Sequence, residues 1–545
     1  MPYAYVTGRK VTGMPRIFRP LAAWIFIILC FPASSAPAST RPEWSVIIYT
    51  GTDEQSLGLN YDPGFRKIIE TPLPPNVEML TEQDTHQPDG TFRTIRRGLS
   101  AVERTVLPEQ DSADPARMAA FLKWASSNAR GRKRLFMVIT HSWGWRGIIQ
   151  DYTIPGKPAT DTMMPLRELT RVMVQERFRP DVFWLDACVL GNVEPIEELK
   201  STSPYLIVSQ REMPYGGFPP ERLFAILGES GLSPREVVRR IPGEYMRAYG
   251  RNGSLVTKEG EYFLTTVAGI DTARWAAFTK DFCNLIKALE GTDFRSRLAE
   301  NPRWVDGLAD FTDHNADLVE FLTRLPGLVN NPKAAAIAAK IRRNIGYPAD
   351  VAALSHETHT LSPDDVKRFE LRIDADGMLP PETALKDIKE LWLEANQDQS
   401  LPDTLRYDLA RIPSPSGRDR EFVVSGEIAR PLSFRPWLAG TQYFVLTTDG
   451  GDGADPKRIT RSRNKDFFVA DRFPETSFLV SEGHTQGVPF IHGIGIMLYP
   501  RMTAAMDRTV DPITKSAGQD FYRETAWNRA TGWGDMMLLP PAGER

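Results

Sequence analysis

A histidine and a cysteine each stand just past a short apolar run. Residues 135–140 lead into His141-Ser142-Trp143-Gly144-Trp145, and residues 182–185 lead into Asp186-Ala187-Cys188. A sulfur nucleophile needs a base or cation nearby to generate and steady the thiolate. An imidazole leaving the neighbouring strand supplies one. Each residue also has an ordinary reading. A cysteine after an apolar strand is commonly an inert core residue, and a histidine beside two tryptophans commonly packs. Their joint placement at the ends of successive strands favours a dyad. Cys188 also precedes a helix expected from Val193, whose N-terminus would further favour the thiolate.

The elements that must position this pair follow from hydrophobic periodicity. Strands are expected at 44–49, 77–80, 135–140, 182–185, 205–209 and 262–268. Helices are expected at 114–129, 165–176, 193–199, 220–227 and 234–249. The strands are continuously apolar, as in a parallel sheet covered on both faces. Strand–helix alternation gives a doubly wound, mostly parallel α/β sheet flanked by helices, whose ligands bind at the carboxyl ends of the strands. The organisation reads as a leader (1–38), an α/β domain (39–270) and a helical region (271–400) with its clearest helix at 272–289. A β-rich insertion follows (401–490), with strands at 421–427, 441–447 and 466–469. A closing strand (493–499) and helix (521–532) lie in 491–545.

Composition narrows the function. Lys+Arg 66 against Asp+Glu 69 leaves a formal net charge of −3 and no basic stripe of the kind nucleic acid requires. Arg9, Lys10, Arg16 and Arg19 precede an apolar run at 21–31 and the small residues Ala36-Pro37-Ala38. That is the pattern of a secretory signal peptide, and the run is shorter than the roughly 20 residues that span a bilayer. The mature protein is therefore expected to be exported, without a membrane span, and monomeric. Losing the leader removes Cys30 and leaves Cys188 and Cys283, too few for a disulfide framework or a cysteine-rich zinc site.

The motifs resemble the clostripain family of cysteine peptidases, kin to gingipains, legumains and caspases. Asp186-Ala187-Cys188-Val189-Leu190-Gly191-Asn192-Val193-Glu194 is close to the family's Asp-Ala-Cys-x-x-Gly-x-x-Glu element. His141-Ser142-Trp143-Gly144-Trp145 is similar to its His-Gly-x-Gly-Trp. Residues 44–49 with Asp53 and Leu57, Phe121-Leu122-Lys123-Trp124, Ser209-Gln210-Arg211-Glu212 with Gly217-Phe218, Gly493-Ile494-Gly495-Ile496 and Thr531-Gly532-Trp533 resemble further segments. The resemblance implies a caspase-like fold and an endopeptidase acting on proteins or peptides, cleaving after Arg or Lys, with no cofactor required. His141 would be the base, Cys188 the nucleophile, and backbone N–H groups of Ser142 and Cys188 the oxyanion hole.

Asp186 is two residues before Cys188, so on a strand it shares a face with the thiol, and a carboxylate there suits a basic substrate side chain. Its rival role is a turn or cap acceptor. Glu212 is a second candidate for that pocket, or else a solvated loop charge. Ser142 stands where the family has glycine; a left-handed backbone there would cost serine roughly 1–2 kcal/mol. Some relatives use calcium, and Asp449, Asp452 and Asp455 are acidic enough to invite it without matching a D-x-D-x-D-G loop. Relatives also cut themselves between the histidine and the cysteine. Here that interval holds a turn-rich stretch at 153–161 with Lys157 before Pro158, and Arg146 and Arg167 are rival sites.

Two other functions compete. Thr140-His141-Ser142-Trp143-Gly144 is a near miss of the G-x-S-x-G nucleophile elbow; a serine hydrolase would use Ser142 with a late histidine, His484 or His492. A catalytically degenerate exported binding protein of the same fold is the third reading.

Overall fold

The computed structural model describes residues 41–537 apart from 53–64, 86–90, 99–101, 152–162, 215, 250–252, 256–264, 301–314, 348–358, 362–367, 375–383, 398–399, 412–419, 428, 435–443, 449–460, 465–466, 472, 486–492 and 498–521. The leader, Asp53, Leu57, the 153–161 stretch, the acidic turn with Asp449, Asp452 and Asp455, and His492 lie outside the described residues.

The N-terminal part supplies β1 (Trp44–Thr52), β2 (Val77–Thr85), β3 (Thr91–Arg97), β4 (Glu103–Leu107), β5 (Lys133–Thr140), β6 (Ile148–Gln150), β7 (Met163–Met164), β8 (Val182–Asp186), β9 (Tyr205–Val208) and β10 (Thr266–Asp271). The C-terminal part supplies β11 (Asn315–Asp317), β12 (His359–Leu361), β13 (Arg368–Asp374), β14 (Arg406–Arg411), β15 (Arg420–Glu427), β16 (Leu432–Phe434), β17 (Phe444–Thr448), β18 (Arg461–Asn464), β19 (Phe467–Ala470), β20 (Leu479–Thr485) and β21 (Gly495–Met497). The central sheet runs β18-β19-β20-β10-β9-β8-β5-β1-β2-β3-β4. Its middle, β9-β8-β5-β1-β2, is parallel, and antiparallel strands extend both edges.

Alternate side chains explain the two layers of helices. Trp44, Val46 and Ile48 join Leu135, Met137, Ile139 and Trp184 on one face, beneath helices Pro220–Gly228 and Pro234–Tyr249. Ile47, Tyr49, Phe136, Val138, Phe183 and Leu185 point to the other face, toward helices Pro115–Asn128, Leu166–Gln175, Val193–Leu199 and Thr272–Leu289. Phe136 stacks on Phe183 at 5.0 Å. Local signals start the helices where the periodicity puts them: Asp114 caps the first, ahead of Pro115, and Asp271 caps the last.

Two features differ from the sequence expectation. β3 and β4 are strands unforeseen because charged residues such as Arg93, Arg97, Glu103 and Arg104 interrupt their apolar pattern; β4 is the edge of the sheet, where charge keeps a strand from pairing further. The stretch 401–490 divides among three sheets, with β16 pairing β12 in a two-stranded one. β14, β15 and β17 join β13 in a four-stranded antiparallel sheet, whereas β18, β19 and β20 extend the central sheet beyond β10. Among the described residues no helix is long and apolar enough to cross a membrane.

Candidate functional site

β5 and β8 are parallel neighbours with Ile139 opposite Asp186. Two residues further along each strand stand His141 and Cys188, so the imidazole and the thiol leave adjacent strands at the same edge. Both are half-buried. Cys188 and Cys283 are free thiols.

The turn after His141 folds back as a hairpin. Ser142 bridges Ile148 in an antiparallel pair, with hydrogen bonds from Ile149 N–H to the His141 carbonyl and from Trp143 N–H to the Gly147 carbonyl, both 3.0 Å. These bonds flank Ser142 and leave its own N–H out of the pairing. The Ser142 hydroxyl accepts from Gly144 N–H at 3.0 Å and donates to the Gly147 carbonyl at 3.3 Å. The strain expected at Ser142 is absent: the left-handed residue of this turn is Gly144, at φ 62°. Among the described residues the non-glycine positions with positive φ are Ile149, Arg177 and Val189. Two of these are β-branched residues in the histidine and cysteine turns, the kind of outlier that clusters at functional sites. The turns also touch, since a Cβ on Gly144 would lie 3.3 Å from the Val189 carbonyl oxygen.

The cysteine turn is held by β9 and its exit. Val189 N–H donates to the Arg211 carbonyl at 3.0 Å and Gly191 N–H to that of Ser209 at 2.6 Å. Gly191 is required by space, because a Cβ there would be 2.6 Å from Gln210 N. The helix expected to stabilise the thiolate begins five residues past Cys188 and has seven residues. The donor that reaches the sulfur is instead Met213 N–H, 3.4 Å from Sγ. A donor on sulfur favours the charged form.

Asp186 is fully buried at the end of β8. Burial pushes its carboxyl up to about 7, with the Phe218 backbone N–H pulling it back down. A Cβ on Gly217, itself at φ 58°, would lie 3.2 Å from Asp186 Oδ2. Phe218 packs edge-on against Trp184 at 4.9 Å, and the Tyr249 hydroxyl donates to the Gly217 carbonyl. Burial, then the charge of Asp186, raises the Tyr249 phenol far above its usual range. Among the described residues no cationic side chain forms an ion pair with Asp186 within 4 Å. The alternative role as a helix cap is excluded, because Asn192 occupies that position. Glu212 keeps its side chain exposed, in the manner of a solvated loop charge. Its backbone carbonyl accepts from Thr265 Oγ1 at 2.9 Å.

Sequence reading assigned no role to the Met213 N–H or to Tyr249, and main-chain donors leave no compositional trace. Glu194 belonged to the quoted motif without a stated role. It is buried and accepts from Met497 N–H at 3.0 Å and the Tyr522 hydroxyl at 2.7 Å. Burial pushes its carboxyl to about 7 against those two bonds. Gly495 N–H donates to the Gly191 carbonyl at 2.8 Å, so β21 docks directly behind the cysteine turn.

The serine reading loses its described partner. His484 lies on β20, four strand spacings from β5, or about 19 Å at the usual interstrand distance. It is buried with Nδ1 3.4 Å from Glu482. Among the described residues one acidic group, Asp84, Glu109 and Asp151, has the spacing to hold a metal ion.

The Clostripain family model matches residues 76–320. Among solved structures, the chain is similar to a secreted C11 cysteine protease from Bacteroides thetaiotaomicron in complex with an irreversible peptide inhibitor. The identity is 17% over 56% of this chain and 83% of that one, with a TM-score of 0.42. An inactive zymogen C11 protease from Parabacteroides distasonis is 16% identical over 56% of this chain and 82% of that one, also with a TM-score of 0.42. No curated protein matches the sequence significantly.

Proposed function

Since residues 76–320 belong to the clostripain family of peptidases, we propose that the chain is an exported cysteine endopeptidase cleaving after arginine or lysine. The observation that carries this reading is the β5–β8 register, which sends His141 and Cys188 off adjacent strands with the buried carboxylate of Asp186 beside them. In the proposed reaction the Cys188 thiolate attacks the scissile carbonyl and the oxyanion forms against the Ser142 and Cys188 N–H groups. His141 protonates the leaving amine, then activates the water that hydrolyses the thioester. The substrate's cationic side chain neutralises Asp186. No cofactor takes part, and a monomer suffices. Sensitivity of arginyl and lysyl reporter cleavage to a thiol alkylator, and insensitivity to a fluorophosphonate, tests the assignment against the Ser142 alternative. Export is tested by N-terminal sequencing of secreted protein, expected to start after residue 38.

Self-cleavage between His141 and Cys188 is part of the same proposal. Arg146 ends a half-buried turn with its guanidinium 5.4 Å over the Trp145 ring. Arg167 sits inside a helix and pairs with Glu524 at 2.9 Å. Neither presents the exposed, extended backbone that proteases cut. Within 152–162 the basic residue is Lys157, so the nick is expected there, slowed by Pro158. Intact-mass analysis should find two fragments in active protein and one chain in Cys188→Ala. A single chain with full turnover would refute activation by self-cleavage.

A further inference from the structure

Across the carboxyl edge of the sheet the strands run β9, β8, β5, and each strand end carries a different part of the proposed chemistry. The exit of β9 brings Met213 N–H to the Cys188 sulfur, and Gly217 and Phe218 to the Asp186 carboxyl. β8 delivers Cys188 and β5 delivers His141. The thiolate attacks at β8 and the imidazole protonates the leaving amine. The residue before the scissile bond therefore faces the β9 side, and the leaving segment passes over the β5 side. Side chains of the histidine turn are the ones that meet it.

One side chain of that turn differs from its neighbours. Trp143 is 49% exposed, while Ser142, Gly144 and Trp145 around it are buried. A single exposed apolar residue is ordinary on a protein surface; this one is set apart by its place and its anchoring. Among the described residues the other exposed large hydrophobics are Val102, Val106 and Val174. Val106 lies in β4 at the far edge of the sheet, Val102 just before it, and Val174 on helix Leu166–Gln175. Trp143 alone of the four stands beside the dyad. Its indole Nε1–H donates to Gln150 Oε1 at 3.3 Å, and Gln150 is itself buried. Its backbone N–H donates to the Gly147 carbonyl at 3.0 Å, and its carbonyl accepts from Arg146 N–H at 3.4 Å. A flat apolar face held this way binds a partner with little further ordering.

We propose that Trp143 reads the leaving segment of the substrate, its indole face taking an aromatic or large aliphatic side chain just after the scissile bond. This rests on the peptidase reading and adds a second specificity contact, on the opposite side of the bond from Asp186. Trp143 fills the open position of the His-Gly-x-Gly-Trp element, so the resemblance assigns it no role. Two residues of extended chain span about 7 Å, which brings the first or second residue of the leaving segment within reach of a side chain two residues past His141. Successive side chains of an extended peptide alternate in direction. One of those two positions therefore carries the preference and the other does not.

The test uses internally quenched peptides with arginine before the bond and phenylalanine or glycine at each of the two positions after it. In the parent full chain kcat/KM is expected to be roughly tenfold higher for phenylalanine than for glycine at one position, the scale of one buried aromatic contact. That preference should vanish in Trp143→Ala and largely persist in Trp143→Phe, which keeps a flat ring. Taking the ratio within each variant removes any general effect on the dyad, so a merely structural role would slow both peptides and leave the ratio unchanged. If Trp143→Ala fails to fold by circular dichroism, Trp143→Gln decides in its place. A flat ratio in the parent, a parent-like ratio in Trp143→Ala, or an equal loss in Trp143→Phe would each overturn the contact and leave the peptidase reading standing. Failure of the parent to cleave any of the peptides would overturn that reading and the contact with it.

Discussion

Replacing Cys188 with alanine is expected to lower kcat/KM on an arginyl reporter by about 10⁴-fold or more, the usual scale for removing a covalent nucleophile. His141→Ala should cost about as much, and the double variant little further, because the pair acts as a unit. The fold should survive. Cys188 is half-buried with Met213 N–H 3.4 Å from its sulfur, and alanine keeps the Cβ, so the melting temperature of the alanine variant should stay within a few degrees. Cys283 is the internal control. It sits on helix Thr272–Leu289 with Sγ 3.3 Å from the Ala530 carbonyl, and burial pushes its thiol up. Cys283→Ser should therefore keep full, alkylator-sensitive turnover. Substantial activity in folded Cys188→Ala would end the dyad assignment.

What could be read in the sequence is what repeats along it. β1, β5 and β8 are continuously apolar because both faces are covered, and helices Pro234–Tyr249 and Thr272–Leu289 fall at the residues their periodicity and caps indicate. The strand ends then locate His141, Asp186 and Cys188. What escaped is what depends on distant segments or on the main chain. Met213 N–H reaches Cys188 from the next strand's exit, and Tyr522 reaches Glu194 from 328 residues away. Asp84, Glu109 and Asp151 come together through three connections with no common spacing, whereas the acidic turn at 449–455 drew attention because its aspartates are close in sequence. Alternation likewise fails at β3 and β4, whose charged residues interrupt the apolar pattern.

Asp186→Asn is expected to lower kcat/KM for arginyl and lysyl substrates by about 30- to 1000-fold, the equivalent of about 2–4 kcal/mol for a buried charged hydrogen-bonded contact. The pH dependence separates this role from a structural one. Burial raises the carboxyl from 3.8 to about 7, so between those values the folded chain binds a proton that the unfolded chain has released. Stability from this group is full below pH about 4 and declines as pH rises toward 7, by an amount on the order of 4 kcal/mol, at 1.36 kcal/mol per pH unit. Urea midpoints across that range should lose part of their slope in Asp186→Asn. Recognition runs the opposite way, because a guanidinium or ammonium needs the ionised carboxylate. The preference for arginyl over the uncharged citrullyl reporter should therefore grow as pH rises through 7. Taking the ratio of the two substrates cancels titration of His141 and Cys188, which serve both alike. In Asp186→Asn that ratio should be small and flat. A ratio that still climbs with pH in the asparagine variant would show that another group reads the substrate's charge, and Glu212, on the loop whose next residue bonds Cys188, would be the first to replace.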